Sequence, residues 1–166
     1  MRDLYVDFGM INADNVEQLR KINQSCFPLT YADSFYGDMA KNKDEKLCKF
    51  AYCNGFAVGA ICARVEPMPD RPGRNRIYIM TLGVLAAYRD RGIGSKLVTS
   101  VLDHFESEKD GKMSNVDEIM LHVQTSNTDA MKFYGEKFGF ERGELVENYY
   151  KRIDPPHCYI LRKKLR

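Results

Sequence analysis

Two apolar runs joined by a single Asn-Gly pair constrain this chain more than any other feature. Lys49-Phe50-Ala51-Tyr52-Cys53 and Phe56-Ala57-Val58-Gly59-Ala60-Ile61-Cys62-Ala63-Arg64-Val65 meet at Asn54-Gly55. Both residues of such a pair tolerate the positive φ that a two-residue hairpin demands, so an antiparallel ribbon is written in early. Residues 66–75 hold three of the six prolines and read as a loop. Arg76 to Leu85 then reads as a long strand, and Leu4-Tyr5-Val6-Asp7-Phe8 alternates as a first one.

Elsewhere the apolar period changes from two to 3.6. Asp14 is positioned to cap a helix, with Glu17 three residues on and Val16, Leu19, Ile22 and Cys26 along one face; Pro28 stops it. A short helix is expected over 33–41. Ile93, Leu97, Val98, Val101, Leu102 and Phe105 predict another from Ile93 to Phe105, and the polar stretch 107–117 is expected to be mobile. Glu118 to Gln124 reads as a strand and Asp129 to Phe138 as a helix. Gly139-Phe140 turns the chain into a strand region reaching Tyr150, and Cys158 to Leu161 is the last strand. The order β-α-(α)-β-β-β-α-β-α-β-β predicts a mixed-sheet α/β fold of about seven strands and about four helices. It consists of an antiparallel meander followed by two strand–helix–strand units, in one domain over residues 1–166.

Composition removes several function classes. The 25 basic and 23 acidic residues leave a net charge of +2, too little to draw the chain to nucleic acid or anionic lipid, and no apolar run reaches membrane-spanning length. Neither nucleic acid nor a membrane is an expected partner. The basic end, Leu161 to Arg166, reads as a solvated final strand or tail. Five cysteines form no CxxC pair and stand at no metal-ligand spacing, so no metal is expected. Their odd number and the lack of an apolar leader predict a reducing, intracellular compartment.

The chemistry begins at Arg89-Asp90-Arg91-Gly92-Ile93-Gly94, between a strand and a helix. Two glycines two apart let backbone N–H groups converge. The helix that starts there adds unpaired donors and the positive end of its dipole. That combination makes a pyrophosphate cradle, although a bare Gly-x-Gly is more often a plain turn. Arg89-x-x-Gly92-x-Gly94 resembles the acetyl-CoA signature of the GNAT acetyltransferases. A second hallmark follows about thirty-five residues later, Asn127-Thr128-Asp129-Ala130-Met131-Lys132-Phe133-Tyr134, then Lys137-Phe138-Gly139-Phe140. Within that superfamily the whole chain resembles the San-type catalytic subunits of NatE. The telling segments are Phe27-Pro28-Leu29-Thr30-Tyr31, Tyr78-Ile79-Met80-Thr81-Leu82-Gly83, Leu121-His122-Val123-Gln124 and Asn148-Tyr149-Tyr150-Lys151-Arg152-Ile153. Ala87 and Asp90 depart from it, standing where the family favours proline and a basic residue.

The resemblance implies acetyl-CoA as cosubstrate and no metal. It places Leu82, Gly83, Val84, Arg89, Asp90, Arg91, Gly92, Ile93, Gly94 and Ser95 along the cofactor, with Asn127 and Tyr134 beside its pantetheine arm and thiol. Tyr78 and His122 become the catalytic pair, although either alone would more often be a packing residue. Phe27, Pro28, Leu29, Tyr31, Tyr78, Met80, Tyr149, Tyr150 and Ile153 would receive a peptide that begins with methionine and a bulky apolar residue. Protein N-termini, and the NatA auxiliary and catalytic subunits, are the implied partners; cytoplasm and nucleus are the implied locations. Two alternatives stay open at this point. One is a GNAT enzyme acting on lysine side chains or small amines, and the other is a weakly active subunit that matters by docking on a ribosome-associated assembly.

Overall fold

The computed structural model describes residues 4–42 and 44–166. The elements run β1 (Asp7–Met10), α1 (Val16–Cys26), α2 (Asp33–Ala40), β2 (Cys48–Cys53), β3 (Phe56–Pro67) and β4 (Asn75–Val84). A single 3₁₀ turn (Ala86–Tyr88) precedes α3 (Ile93–Glu108), β5 (Val116–Gln124), α4 (Thr128–Phe138), β6 (Glu141–Val146) and β7 (Cys158–Lys164). The strands form one seven-stranded sheet in the order β1-β2-β3-β4-β5-β7-β6. The chain gathers into two compact units: the part up to Arg64 with Met80–Glu108, and Val65–Ile79 with Lys109–Arg166. Strand β4 contributes to both.

In the first unit the hairpin forms at Asn54-Gly55, with φ of 50° and 81° and Cys53 facing Phe56. The first strand begins later than its alternation suggests. Asp7 pairs with Tyr52, one residue from the end of β2, so Leu4 and Tyr5 reach past that strand's last residue, Cys53. The start of α1 also differs from expectation. Asp14 does not cap it; Asn12 Oδ1 accepts the backbone N–H groups of Asp14 (2.9 Å) and Asn15 (3.2 Å), and Asn15 Oδ1 accepts that of Asn12 (2.8 Å). This reciprocal asparagine turn satisfies the donors two residues earlier. Val16, Leu19 and Ile22 are buried as the period requires, as are Ile93, Leu97, Val98, Val101 and Phe105 of α3. Burial of each large side chain contributes about 2 kcal/mol.

The second unit holds the parallel pair β4–β5 and the antiparallel pairs β5–β7 and β6–β7. Strand β6 does not lie beside β5, because β7 is inserted between them. The strand region expected to reach Tyr150 stops at Val146, so Tyr149 and Tyr150 sit on a loop. The segment at 107–117, expected to be mobile, is anchored: Met113 is buried, and the Arg166 guanidinium donates to the carbonyls of Val116 (2.9 Å), Met113 (3.0 Å) and Lys109. Asp117, nearly buried, takes ion pairs from Arg71 (3.0 Å) and Arg74 and ties the 68–74 turn to the start of β5. The hydrogen bond from Arg74, with the charges of Arg74 and then Arg71, holds the Asp117 pKa below its ordinary value.

Candidate active site

Strand β4 separates two kinds of residue by its pleat. Ile77, Ile79 and Thr81 are buried, whereas Tyr78, Met80, Leu82 and Val84 alternate with them on the half-buried face. The β4–β5 ladder pairs Asn75 with Val116 and continues to Tyr78 and Met120. Leu85 N–H donates to Val58 of β3 (2.8 Å), so by alternation the amides of Val84 and Leu82 point away from β3.

The turn after β4 is built by backbone conformation. Gly92 has φ of 79° with nothing near its missing side chain, so the left-handed conformation itself demands glycine. Asp90 also lies in that region, at φ 62°, which aspartate tolerates better than most residues and lysine or arginine would not relieve. The first helical bond of α3 is Lys96 N–H to Gly92 C=O at 3.0 Å, leaving the amides of Ile93 and Gly94 ahead of the helical ladder. Arg89 spends its Nε on the Val84 carbonyl (2.8 Å), binding the turn to the strand end; the sequence had assigned it to cofactor alone. These donors fit a pyrophosphate. Close by in the chain, a Cβ on Gly83 would come within 3.2–3.3 Å of Cys26 and Phe27, so this glycine lets the end of α1 press against β4. Phe27 continues into an aromatic file through Tyr31 (6.1 Å between centroids) and Phe35 (5.3 Å); Pro28 is exposed and Leu29 half-buried.

In the second unit Tyr78 Oη lies 2.8 Å from His122 Nδ1. The two residues occupy one sheet face, on adjacent strands, one diagonal step apart. Tyr149 stacks flat on the His122 ring, 4.4 Å between centroids and 12° between planes, and Tyr150 meets Tyr149 edge-on at 5.0 Å. The loop that delivers them is pinned: Gln124 Nε2 donates to Pro155 O (2.8 Å), Tyr150 N–H to Pro156 O (2.8 Å) and Asn148 N–H to His157 Nδ1 (3.0 Å). Ile153 is half-buried in the same loop. Burial, reinforced by Arg76 and then Arg162 and opposed by Glu66, pulls the His122 pKa below its ordinary value. Burial and the Tyr149 phenol push Tyr78 far upward, so it remains protonated at physiological pH.

Helix α4 explains the second hallmark. Asn127 caps it, its Oδ1 accepting the Ala130 N–H at 3.1 Å. At the other end Gly139, at φ 71°, closes the helix, and Phe140 N–H returns to Tyr134 O (3.1 Å) with its ring 5.2 Å from that of Tyr134. Tyr134 is buried, and burial raises its hydroxyl pKa, so it too stays protonated.

Residues 16–140 match the Acetyltransferase (GNAT) family. This chain belongs to that family. The GNAT chain is 46% identical to N-alpha-acetyltransferase 50 of Danio rerio, over 97% of its own length and 89% of the relative's. It is 42% identical to the probable N-acetyltransferase san of Drosophila melanogaster, over 97% and 82%. Arabidopsis thaliana Naa50, solved in complex with the bisubstrate analogue CoA-Ac-MVNAL, superposes with a TM-score of 0.80 at 44% identity, covering 95% of this chain and 97% of that one. The enzyme is therefore an acetyltransferase. Among the described residues no cluster of three or more His, Cys, Asp or Glu could hold a metal ion, and no helix is long and apolar enough to cross a membrane.

Sequence reasoning found the Tyr78–His122 pair only through resemblance. It missed Arg76 and Glu66 beside them; Arg76 stands two residues before Tyr78 on the same strand face, which is the signal that could have shown it.

Proposed function

We propose that this enzyme transfers acetyl from acetyl-CoA to the α-amine of proteins that begin with methionine followed by a bulky apolar residue. The observation that carries it is the Tyr78–His122 contact roofed by Tyr149. A free α-ammonium has a pKa of about 8 and a lysine ammonium about 10.4. His122, held below its ordinary pKa, is unprotonated near neutrality and suited to the first, while it is far too weak a base for the second. Tyr78 orients the amine or a water through its retained proton. The substrate ammonium loses its proton toward His122, and the nitrogen attacks the thioester carbonyl to form a tetrahedral intermediate. The C–S bond then breaks as the amide forms; the nitrogen's second proton balances the departing thiolate, and Tyr134, kept protonated, donates a hydrogen bond to that sulfur. Neither Cys62 nor Cys158 is set up as a relay: the hydrogen bond with Cys48, and then burial, push Cys62 well above its ordinary value, and burial pushes Cys158 up to about 11. Direct transfer in a ternary complex follows.

Ile93, Gly94 and Ser95 at the head of α3, with the Arg89–Gly92 turn, are assigned to the pyrophosphate. The apolar character of Phe27, Leu29, Tyr31 and Met80, and separately of Tyr149, Tyr150 and Ile153, suits a Met-plus-apolar N-terminus. The Met-Val start of the analogue bound by the Arabidopsis relative agrees with that preference. Likeness to NatE subunits extends the proposal to docking on NatA subunits in the cytoplasm and nucleus. The test is turnover on a panel of peptides varied at positions one and two. Met-Leu peptides should be acetylated much faster than N-blocked lysine peptides, and equal rates would remove the N-terminal assignment.

A further inference from the structure

The sheet face that carries Tyr78 and His122 also carries a row of alternating charge. Glu66 on β3 accepts two bonds from Arg76 on β4, from Nε at 3.1 Å and Nη2 at 2.9 Å. Arg76 is level with Glu118 on β5. Glu118 pairs with Arg162 of β7 at 3.2 Å, and Arg162 reaches on to Glu144 of β6. The signs therefore run minus, plus, minus, plus, minus across five neighbouring strands. One pleat along, at i+2 from Arg76, stands Tyr78, and at i+4 from Glu118 stands His122. Arg162 is level with Met120, one step from His122.

A surface row of this kind would be weakly coupled and of little consequence. This one is not fully exposed: the side chains of Arg76, Glu66 and Glu118 are 15%, 21% and 12% exposed. Charges so placed act on a neighbouring imidazole with little screening. The ionisable groups facing His122 are Arg76 and Tyr78 from β4, Glu66 from β3, Glu118 from its own strand, Arg162 from β7 with Glu144 behind it, and the phenols of Tyr149 and Tyr150 from the loop.

We propose that this row is the electrostatic seat of the proton-accepting pair, with Arg76, clamped by Glu66, as the positioning residue that keeps His122 ready to take a proton. The clamp has two functions. The fork geometry fixes the guanidinium two residues from Tyr78, and the carboxylate limits how far its charge reaches. The inference rests on His122 as the base, and it adds a residue that touches neither substrate. It predicts opposite effects from the two halves of one ion pair. Losing the cation makes the imidazolium easier to form and raises the His122 pKa, whereas losing the anion leaves the cation unopposed and lowers it.

The experiment is an NMR titration of the imidazole signals of the whole protein, which has three histidines, beside pH profiles of kcat/KM. Arg76→Gln should move the His122 midpoint up by about half a pH unit or more, and Glu66→Gln should move it down. Arg76→Lys, which keeps the charge, should stay near wild type. The double variant Arg76→Gln/Glu66→Gln removes the whole pair, guards against a fold defect from one orphaned charge, and should fall between the singles. Both single variants moving the midpoint the same way, or neither moving it, would overturn the proposal. A midpoint that moves as expected while the activity limb stays still would uphold the seat and remove His122 from the reaction instead.

Discussion

The cradle ahead of α3 and the proton-handling cluster around His122 are built by opposite means. The first is made of backbone: a left-handed glycine, amides ahead of the helical ladder, and an arginine spent on holding the turn to Val84. The second is made of side chains from β4, β5 and a distant loop, brought together by register and stacking. A backbone site depends on which residues can adopt a conformation. A side-chain site depends on the protonation each neighbour imposes. Substitutions should therefore damage the two in different kinetic terms.

The largest effect should come from the side-chain cluster. His122→Ala and Tyr78→Phe are each expected to cut kcat by roughly 10²-fold or more, and the double variant should be little worse than the poorer single, since both serve one proton path. Steady-state rates at saturating acetyl-CoA and peptide decide this, and additive losses would mean two separate roles. Next comes the cradle. Gly94→Glu should raise the KM for acetyl-CoA by roughly tenfold or more while leaving peptide affinity alone, because it sets an anion against the pyrophosphate. If peptide binding alone suffered, the cradle would lie elsewhere.

Tyr149→Ala sharpens the contrast. Removing a stacked ring worth about 1 kcal/mol should lower kcat about fivefold. It should also raise the His122 midpoint, because burial is the leading cause of its depression. The smallest effect concerns acid stability. A histidine whose folded pKa is depressed contributes stability that is complete above its unfolded pKa of about 6.5 and lost as pH falls toward the folded value. Wild type should lose thermal stability on acidification below pH of about 6.5 more steeply than His122→Phe. Parallel melting curves would show that His122 titrates alike in both states. In turnover, the kcat/KM of wild type should rise through an apparent pKa near neutrality, and in His122→Phe that limb should move toward the amine's own value of about 8.

Much of the fold was legible because its signals are local. The Asn54-Gly55 turn, the apolar period of α3 and the Gly139 helix end each depend on a few adjacent residues, and the element order follows from them. What failed was non-local. The start of β1 depends on where β2 turns away. The firmness of 107–117 depends on Arg166, some fifty residues on in the chain (separations of 57 for Lys109 and 53 for Met113). The cradle was readable as a spacing. Arg76 and Glu66 were not, since their ion pair exists only once β3 and β4 are in register and no motif names them.

The flat stack of Tyr149 on His122 also makes the molecule its own optical instrument. The chain contains no tryptophan and ten tyrosines, so its ultraviolet emission is tyrosine emission. An imidazolium withdraws excitation from a phenol lying 4.4 Å away far better than a neutral imidazole does. Part of the intrinsic glow should therefore dim as His122 gains its proton, and a label-free lamp would follow the base through its titration.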